Sequence, residues 1–260
     1  MAEIPTYLHL YKTKQAHDAD YNGSAYEEPW VAYVMATEEV SYNKHHDYSL
    51  EYLTFTALES GTFTLTIPSD VDTSYLESVS YSTDGGQNWT TTQNGATYIT
   101  VTTPTINAGE KVLWKGIGVS MAASNRVTSQ FSSTGNYKVS GNVMSLLYGD
   151  NFSSASSFSA GSTYNFTRLF RDSIHLVMAS DLILPATTLV SNCYMYMFYN
   201  CSNLNYIKAM FTTTPSNTYT SNWVRGIAAT GTFVKNSAAQ WNVTGIHGVP
   251  SGWTVETASE

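Results

Sequence analysis

The chain has 260 residues and a net charge of −8, and only 12% of its residues are charged, about half the usual share. Its polarity comes from 19 tyrosines and from runs of Ser, Thr and Asn, which favours short strands with uncharged polar faces. With 12 Lys and Arg in total, the chain lacks a basic patch that could neutralise a phosphate backbone, which argues against nucleic acid as a ligand. No apolar stretch approaches the ~18 residues of a membrane span, so no membrane insertion is expected.

Residues 1–50 hold eight of the 20 acidic residues and little core pattern. They contain two strand-like pieces, Tyr7–Tyr11 and Trp30–Met35, and their first residues lack the basic start and apolar run of a secretory signal. Two interpretations stay open: an extension packed on the next domain, or an anchor docked on another protein. The aromatic side chains suited to such an interface are Tyr26, Trp30 and Tyr33.

Two adjacent histidines, His45 and His46, are followed by Asp47 and raise the question of a metal site. Neighbouring side chains on an extended chain point to opposite faces, so such a pair rarely binds one ion. No further ligand follows at metal-site spacing. Neither a metal nor another cofactor is expected.

In residues 51–119, apolar and polar side chains alternate as they do in the strands of a β-sandwich. Apolar side chains occupy every second position over residues 53–57 and again over residues 63–67, with an interruption at Glu59-Ser60-Gly61. This alternation predicts two strands with one buried face each. We expect an Ig-like β-sandwich over this range.

The motif Ser82-x-Asp84-x-Gly86-x-x-Trp89 resembles the Asp box of sialidase propellers. In that motif Asp84 can accept hydrogen bonds from backbone N–H groups, glycine permits positive φ, and Trp89 packs under the hairpin. A single copy predicts a structural turn. A glycan-cleaving enzyme remains a remote alternative.

Residues 120–215 contain a repeat. The sequence offset from Phe170 to Phe198 (198 − 170 = 28) is the same as that from Leu176 to Leu204 (204 − 176 = 28). Apolar residues recurring at a fixed interval of this size indicate stacked coils of a solenoid, each covering its neighbour's apolar face. We expect these four side chains and Cys201 to be buried in two stacked rows.

The second repeat also holds several tyrosines and asparagines, which suit contacts with sugar rings or with proteins. The candidates for surface contacts are Tyr194, Tyr199, Tyr206 and Asn203, whereas Tyr196 is expected to face inward. Two interpretations remain open: attachment to a host-surface glycan, or a subunit interface or plain decoration. The two cysteines, Cys193 and Cys201, are expected to be free buried thiols rather than a disulfide.

Residues 216–260 begin like a third, degenerate copy. Trp223 follows Met195 at the same offset (223 − 195 = 28), in register with the earlier interval. Atypical terminal repeats cap a solenoid, and Trp241 and Trp253 are expected to close its open end.

The chain offers no pattern that indicates catalysis. It has no Gly-x-Ser-x-Gly elbow, no His-Glu-x-x-His and no Gly-rich phosphate loop. No catalytic residue is assigned, and the chain is not expected to be an enzyme.

Several pieces, among them "LFRDSIHLVMASDLILPATTL" and "CYMYMFYNCSNL", resemble BspA-type leucine-rich-repeat proteins of gut anaerobes and of the phages that infect them. The family motif Met-Phe-x-x-Cys-x-x-Leu falls on residues 197–204, and Leu-Pro-Ala-Thr-Thr-Leu falls on Leu184–Leu189. The resemblance implies a mainly β fold with a short leucine-rich-repeat solenoid and a C-terminal cap. The chain departs from the family in having one full and two partial copies.

The segment "AYEEPWVAYVMATEEVSYNK" is similar to the N-terminal segments of structural proteins in tailed phages, including crAss-like phages. This resemblance implies a head fibre or decoration protein on the virion surface, attached through its N-terminus to a capsid or tail protein. Phage fibres are commonly trimeric, so the resemblance also implies a homotrimer. The alternative is a BspA-like adhesin on the bacterial cell surface.

Overall fold

The computed structural model describes residues 10–11, 32–34, 39–41, 50–67, 76–93, 99–119, 128–158 and 162–258. The chain divides into two compact units, Met1–Asp47 and Tyr48–Glu260. The first unit ends close to residue 50, the predicted end of the N-terminal segment. The architecture is mainly β, as predicted.

The first unit contains a three-stranded sheet. Its strands are β1 (Leu10–Tyr11), β2 (Ala32–Val34) and β3 (Glu39–Ser41). Strand β2 runs parallel to β1 and antiparallel to β3. Strands β1 and β2 fall within the two strand-like pieces of the sequence, which confirms that part of the prediction.

The second unit contains one large and one small sheet. Its described strands are β4 (Leu53–Ala57), β5 (Phe63–Ile67), β6 (Ser78–Ser82), β7 (Thr90–Gln93), β8 (Ile99–Thr102), β9 (Lys111–Ile117), β10 (Gln130–Ser133), β11 (Tyr137–Asn142), β12 (Leu176–Ile183), β13 (Tyr206–Ala209), β14 (Thr232–Lys235) and β15 (Thr254–Thr257). The large sheet has the order β15-β14-β13-β12-β11-β4-β9-β6-β7, and the small one β10-β5-β8. A short helix α1 (Ser145–Tyr148) and a 3-10 helix (Gly149–Ser154) follow β11.

Aromatic side chains from the two sheets meet in the core. The ring of Phe55 on β4 has its centroid 5.3 Å from that of Phe63 on β5 and 4.7 Å from that of Phe131 on β10. Strand β5 alternates as predicted, with Phe63, Leu65 and Ile67 buried and the threonines between them partly exposed. In β4 all five residues are buried, so its second face is covered too.

The predicted boundary at residue 119 does not separate two compact units. Strand β10 pairs with β5, and β11 pairs antiparallel with β4, opposite Phe55, so both supply hydrogen-bond partners that the earlier strands need. Strand β11 also pairs in parallel with β12. The predicted boundary at residue 215 is likewise bridged, by the parallel pair β13 and β14.

Three turn segments link the parallel strands: the first (residues 164–175), the second (residues 191–204) and the third (residues 216–228). They stack on one another through backbone hydrogen bonds. Phe170 N–H donates to the Met197 carbonyl at 3.0 Å, and Phe198 N–H donates to the Trp223 carbonyl at 2.9 Å. On the other side of the first segment, Phe131 N–H of β10 donates to Leu169 at 2.8 Å. The turn segments therefore continue the layer that the small sheet begins.

Inward-facing rings follow this stacking as a first aromatic ladder of Phe131, Phe170, Phe198 and Trp223. Successive ring centroids lie 5.9, 5.7 and 6.1 Å apart, and the rings of Phe170 and Phe198 are parallel to within 3°. All four side chains are fully buried. The predicted burial of Phe170, Leu176, Phe198, Cys201 and Leu204 is confirmed, since each is 0% exposed.

A second aromatic ladder runs beside it through Phe166, Tyr194, Phe211 and Trp241. Its ring centroids lie 6.2, 5.8 and 5.8 Å apart. Trp241 thus covers Phe211 at the end of the ladder and is buried, as predicted for the C-terminal region. Trp253 is also buried, and its indole N–H donates to the Ala228 carbonyl at 2.8 Å.

The third turn segment is shorter than the predicted register assumes. Trp223 packs on Phe198 and not on the position of Met195. The backbone explains this, because the sequence offset of the hydrogen-bonded residues shrinks along the stack. Between the first and second segments Arg168 N–H donates to Met195 (195 − 168 = 27), whereas between the second and third Tyr196 N–H donates to Ser221 (221 − 196 = 25).

We expect Phe198→Ala to lower the free energy of unfolding by about 3–5 kcal/mol, because it removes a ring from the middle of the first aromatic ladder. Thr214→Ala, at an exposed position near the same layer, should change it by less than about 0.5 kcal/mol. Urea unfolding followed by circular dichroism measures both. A loss for Phe198→Ala as small as that for Thr214→Ala would contradict the ladder.

Candidate functional site

The backbone amides of the turn segments donate hydrogen bonds in two directions, within their own segment and to the neighbouring one. Leu169 N–H donates to Phe166 at 3.2 Å within the segment, and Arg171 N–H donates to Arg168 at 2.9 Å. The alternate amides point away from their own segment, so Phe170 and Asp172 donate to carbonyls of the second segment. Alternation of this kind fixes which residues of neighbouring segments lie side by side.

The two longer segments also share backbone conformation at positions related by the repeat interval. Arg168 and its equivalent Tyr196 both have positive φ, at 62° and 57°. Asp172 and its equivalent Asn200 have φ of 59° and 58°. Left-handed backbone is costly for residues with side chains, so stacking must hold it in place.

Five side chains on the outer side of the turn segments form what we call the tyrosine–arginine surface: Arg168, Arg171, Tyr196, Tyr199 and Arg225. The Tyr196 ring centroid lies 5.6 Å from the Arg168 guanidinium carbon and 5.9 Å from that of Arg171. Tyr199 lies between two cations, 5.2 Å from Arg171 and 5.9 Å from Arg225. The two tyrosine rings meet edge to face at 5.4 Å.

One carboxylate helps to hold this surface. Arg171 Nε donates to Asp172 at 3.0 Å, and Asn200 Nδ2 of the next segment donates to the same carboxylate at 2.8 Å. Burial, followed by the charge of Arg171, lowers the pKa of Arg168, which nevertheless stays cationic because a guanidinium does not deprotonate in proteins. Arg225 is exposed, and both tyrosines are half-buried.

Of the predicted surface contacts, Tyr199 lies in this surface and Tyr194 does not. Tyr194 is fully buried, because it takes the place in the second aromatic ladder that Phe166 has one segment earlier, so its prediction as a surface residue is wrong. The inward orientation predicted for Tyr196 is also wrong, since the residue is only half-buried and its ring lies beside two arginines.

The remaining predicted residues lie elsewhere. Asn203 is exposed, and its Nδ2 donates to the Ile174 carbonyl at 2.7 Å. Tyr206 is half-buried on β13, in the strand layer, and is therefore not part of the surface on the turn segments. Tyr33 lies in β2, and Tyr26, Trp30, His45 and His46 lie outside the described residues.

The three arginines of the surface were missed by sequence reasoning. A signal was present, because Arg168 and Arg171 precede Tyr196 and Tyr199 by the same interval that separates Phe170 from Phe198. That interval brings the members of each pair next to one another once the phenylalanines stack.

Both cysteines are free and buried, as predicted. Burial raises the pKa of Cys193 to about 12 and raises that of Cys201 further, so neither thiol is a reactive thiolate near neutral pH. The Cys201 thiol donates to the Phe170 carbonyl at 2.9 Å, which ties it to the ladder.

The Asp box forms the turn between β6 and β7. Asp84 accepts hydrogen bonds from Asn88 N–H at 2.9 Å and from the Ser82 hydroxyl at 2.7 Å, and Trp89 Nε1 donates to the Gly86 carbonyl. This is the predicted structural turn. The hydrogen bonds from Asn88 and Ser82 lower the pKa of Asp84 to about 2.

A second charged cluster lies beside that turn. Lys115 sits 2.8 Å from Asp150 and 4.1 Å from the centroid of the Trp89 ring, and the Tyr52 hydroxyl donates to Asp150 at 2.7 Å. Burial and the contact with Asp150 raise the pKa of Tyr52 to about 12. Because its groups engage one another, this cluster fastens the 3-10 helix to β9 rather than presenting a vacant site.

Comparison with protein-family models, curated proteins and solved structures found no match to this chain. Among the described residues, no group of His, Cys, Asp and Glu could hold a metal ion. In the same part of the chain, no helix is long and apolar enough to cross a bilayer.

We expect Tyr194→Phe to leave the free energy of unfolding unchanged or to raise it by about 1 kcal/mol, because the buried hydroxyl finds no hydrogen-bond partner within the described part of the chain. Tyr137→Phe is the matched control, since the equally buried Tyr137 hydroxyl lies 3.0 Å from Ser173 Oγ, and its loss should cost about 1 kcal/mol. Equal losses in the two variants, measured by urea unfolding, would show that the Tyr194 hydroxyl has a hydrogen-bond partner and would contradict the prediction.

We expect the Asp84 turn to weaken in acid. The pKa of Asp84 is about 2 in the folded chain against an ordinary value of 3.8, so its stabilisation is fully present above pH 3.8 and is lost as the pH falls towards 2. Carboxyl-carbon NMR titration should give the low midpoint, and Ser82→Ala should raise it by removing one donor. A midpoint at or above 3.8 in the unaltered chain would contradict the turn geometry.

Proposed function

We propose that the chain is a non-enzymatic component of a phage virion, a head fibre or decoration protein held by its N-terminal segment. The observation that carries the proposal is the division of the chain at Asp47 into two compact units. The first unit contains 8 acidic residues and 3 lysines, a net charge of −5 within the chain total of −8. A unit this small suits docking on another virion protein better than independent folding, and its tyrosines and Trp30 are of the residue types enriched in interfaces.

The second unit is the displayed part under this proposal. We propose that its two sheets form an Ig-like β-sandwich and that β12 to β15 with their turn segments form a short BspA-like leucine-rich-repeat solenoid. Aromatic rings that pack against one another between the two sheets support the sandwich. Parallel partners that recur at similar sequence intervals support the solenoid (Ala179 with Ile207, Tyr206 with Thr232, Thr232 with Thr254).

The tyrosine–arginine surface then acts in weak attachment to a host-surface glycan. Half-buried tyrosine rings offer apolar edges to a sugar ring, and arginine and asparagine side chains offer hydrogen bonds around them. A homotrimer would repeat this surface three times and increase avidity without new contacts. The alternative function is a BspA-like adhesin on the bacterial cell surface, which would use the same surface.

We expect a fragment of residues 48–260 to fold and to fail to join phage particles. The second unit contains both aromatic ladders, so its unfolding temperature should match that of the full chain, whereas deletion of the first unit removes the docking segment. Mass spectrometry of purified particles, from a phage lacking the gene and complemented with either form, measures incorporation. Trp30→Ala in the full chain should lower incorporation, and Trp89→Ala in the second unit serves as the control.

Incorporation of the fragment at the level of the full chain would place the anchor elsewhere. Absence of the full chain from purified particles, together with its recovery from the bacterial envelope, would reject the virion proposal in favour of the adhesin.

A further inference from the structure

The tyrosine–arginine surface concentrates positive charge in an acidic chain. It holds three of the four arginines in the sequence. The ionisable Asp, Glu, His, Lys and Arg residues of the three turn segments are those arginines, Asp172 and His175, which gives a net charge of +2 with His neutral. Since the whole chain carries −8, the rest of it carries −10.

Two arginines of this surface lie close to each other. Arg168 and Arg171 lie over the same Tyr196 ring, so two like charges are held close together. The pKa of Arg168 is lowered by burial and by the charge of Arg171, which agrees with that geometry. An anionic group at the surface would relieve this repulsion and gain charge-assisted hydrogen bonds.

The contacts with the tyrosine rings leave N–H donors of the arginines for such a group. A guanidinium has five N–H donors, and a contact with the face of an aromatic ring does not need to consume them. Arg171 donates its Nε–H to Asp172, which orients the guanidinium group. Its side chain is 35% exposed, so its two terminal nitrogens can still donate to a ligand. Arg225 is exposed on the far side of Tyr199.

The tyrosines favour a sugar as the carrier of the anion. Tyr199 is half-buried between two guanidinium groups, so a sugar in contact with the exposed edge of its ring would place a carboxylate substituent within reach of either one. Nucleic acid fits less well, because its affinity for proteins comes mainly from many neutralised phosphates and this surface offers three arginines.

We propose that the tyrosine–arginine surface binds an acidic polysaccharide, with uronate carboxylates held by Arg171 and Arg225 and a sugar ring in contact with the edge of Tyr199. The inference rests on the proposed glycan attachment and names its ligand class. Bidentate pairing of arginine with carboxylate supplies the selectivity for acidic over neutral sugars.

The test uses the full chain and two immobilised probes, polygalacturonate and alginate, each also presented with its carboxyl groups methyl-esterified. Esterification keeps the sugars and removes the charge. We expect binding to at least one acidic polymer that is about tenfold tighter than to its ester, as the loss of a charge-assisted contact implies. Added salt should weaken it.

Three variants locate the binding. Arg225→Gln and Arg171→Gln should each weaken binding to the acidic polymer by about tenfold, with the binding to the ester unchanged. Tyr199→Leu should weaken binding to both forms. Lys111→Gln, an exposed position at the start of β9, removes the same charge elsewhere and should have no effect. Matching unfolding temperatures establish that all variants are folded.

Four outcomes overturn the inference. Equal binding to the acidic and esterified polymers overturns it while leaving glycan attachment intact, and absence of binding to both acidic polymers overturns it outright. Tighter binding to polyphosphate or single-stranded DNA than to either polyuronate indicates a general anion site. A change of oligomeric mass in Arg225→Gln, measured by light scattering, indicates a subunit interface.

Discussion

Alternate backbone amides of the turn segments donate outside their own segment, and most other features of the second unit follow from that. A buried amide without an acceptor costs about 1–3 kcal/mol, so a segment cannot adopt this conformation alone. The first segment is covered by β10, whose Phe131 N–H donates to Leu169. At the other end, Asn222 N–H donates to His247 Nδ1, and the Trp223 indole donates to Gly248. The stack therefore begins on a sheet and ends on a loop.

The same stacking sets both faces of the layer. Residues in equivalent positions of successive segments lie side by side, which brings Phe170 onto Phe198 inside the molecule and Arg171 beside Tyr199 outside it. The inner rings stabilise by burial and the outer side chains present charge, yet one backbone register fixes both. Because the register is shared, a change that shifts the ladder also shifts the surface.

Much of the core could be predicted from the sequence, and less of the surface. The interval between Phe170 and Phe198 was sufficient to predict their burial, since large apolar rings at a fixed interval have few alternatives to stacking. Tyr194 and Tyr196 were assigned to the wrong sides because a tyrosine suits either environment, and the sequence alone does not show which of the two packs in the ladder. The shorter third segment could not be foreseen, as its register depends on carbonyls that face Tyr196 and Phe198.

Parallel pairing along β11 to β15 has a consequence for how the chain folds during synthesis. Each of these strands after β11 pairs with the strand before it, and from β12 onward the partners follow one another at short, similar sequence intervals. A strand leaving the ribosome thus meets an edge that has already formed, and it waits for no later partner. The order of translation matches the order of docking, so the growing end of the sheet exposes one unpaired edge at a time to aggregation.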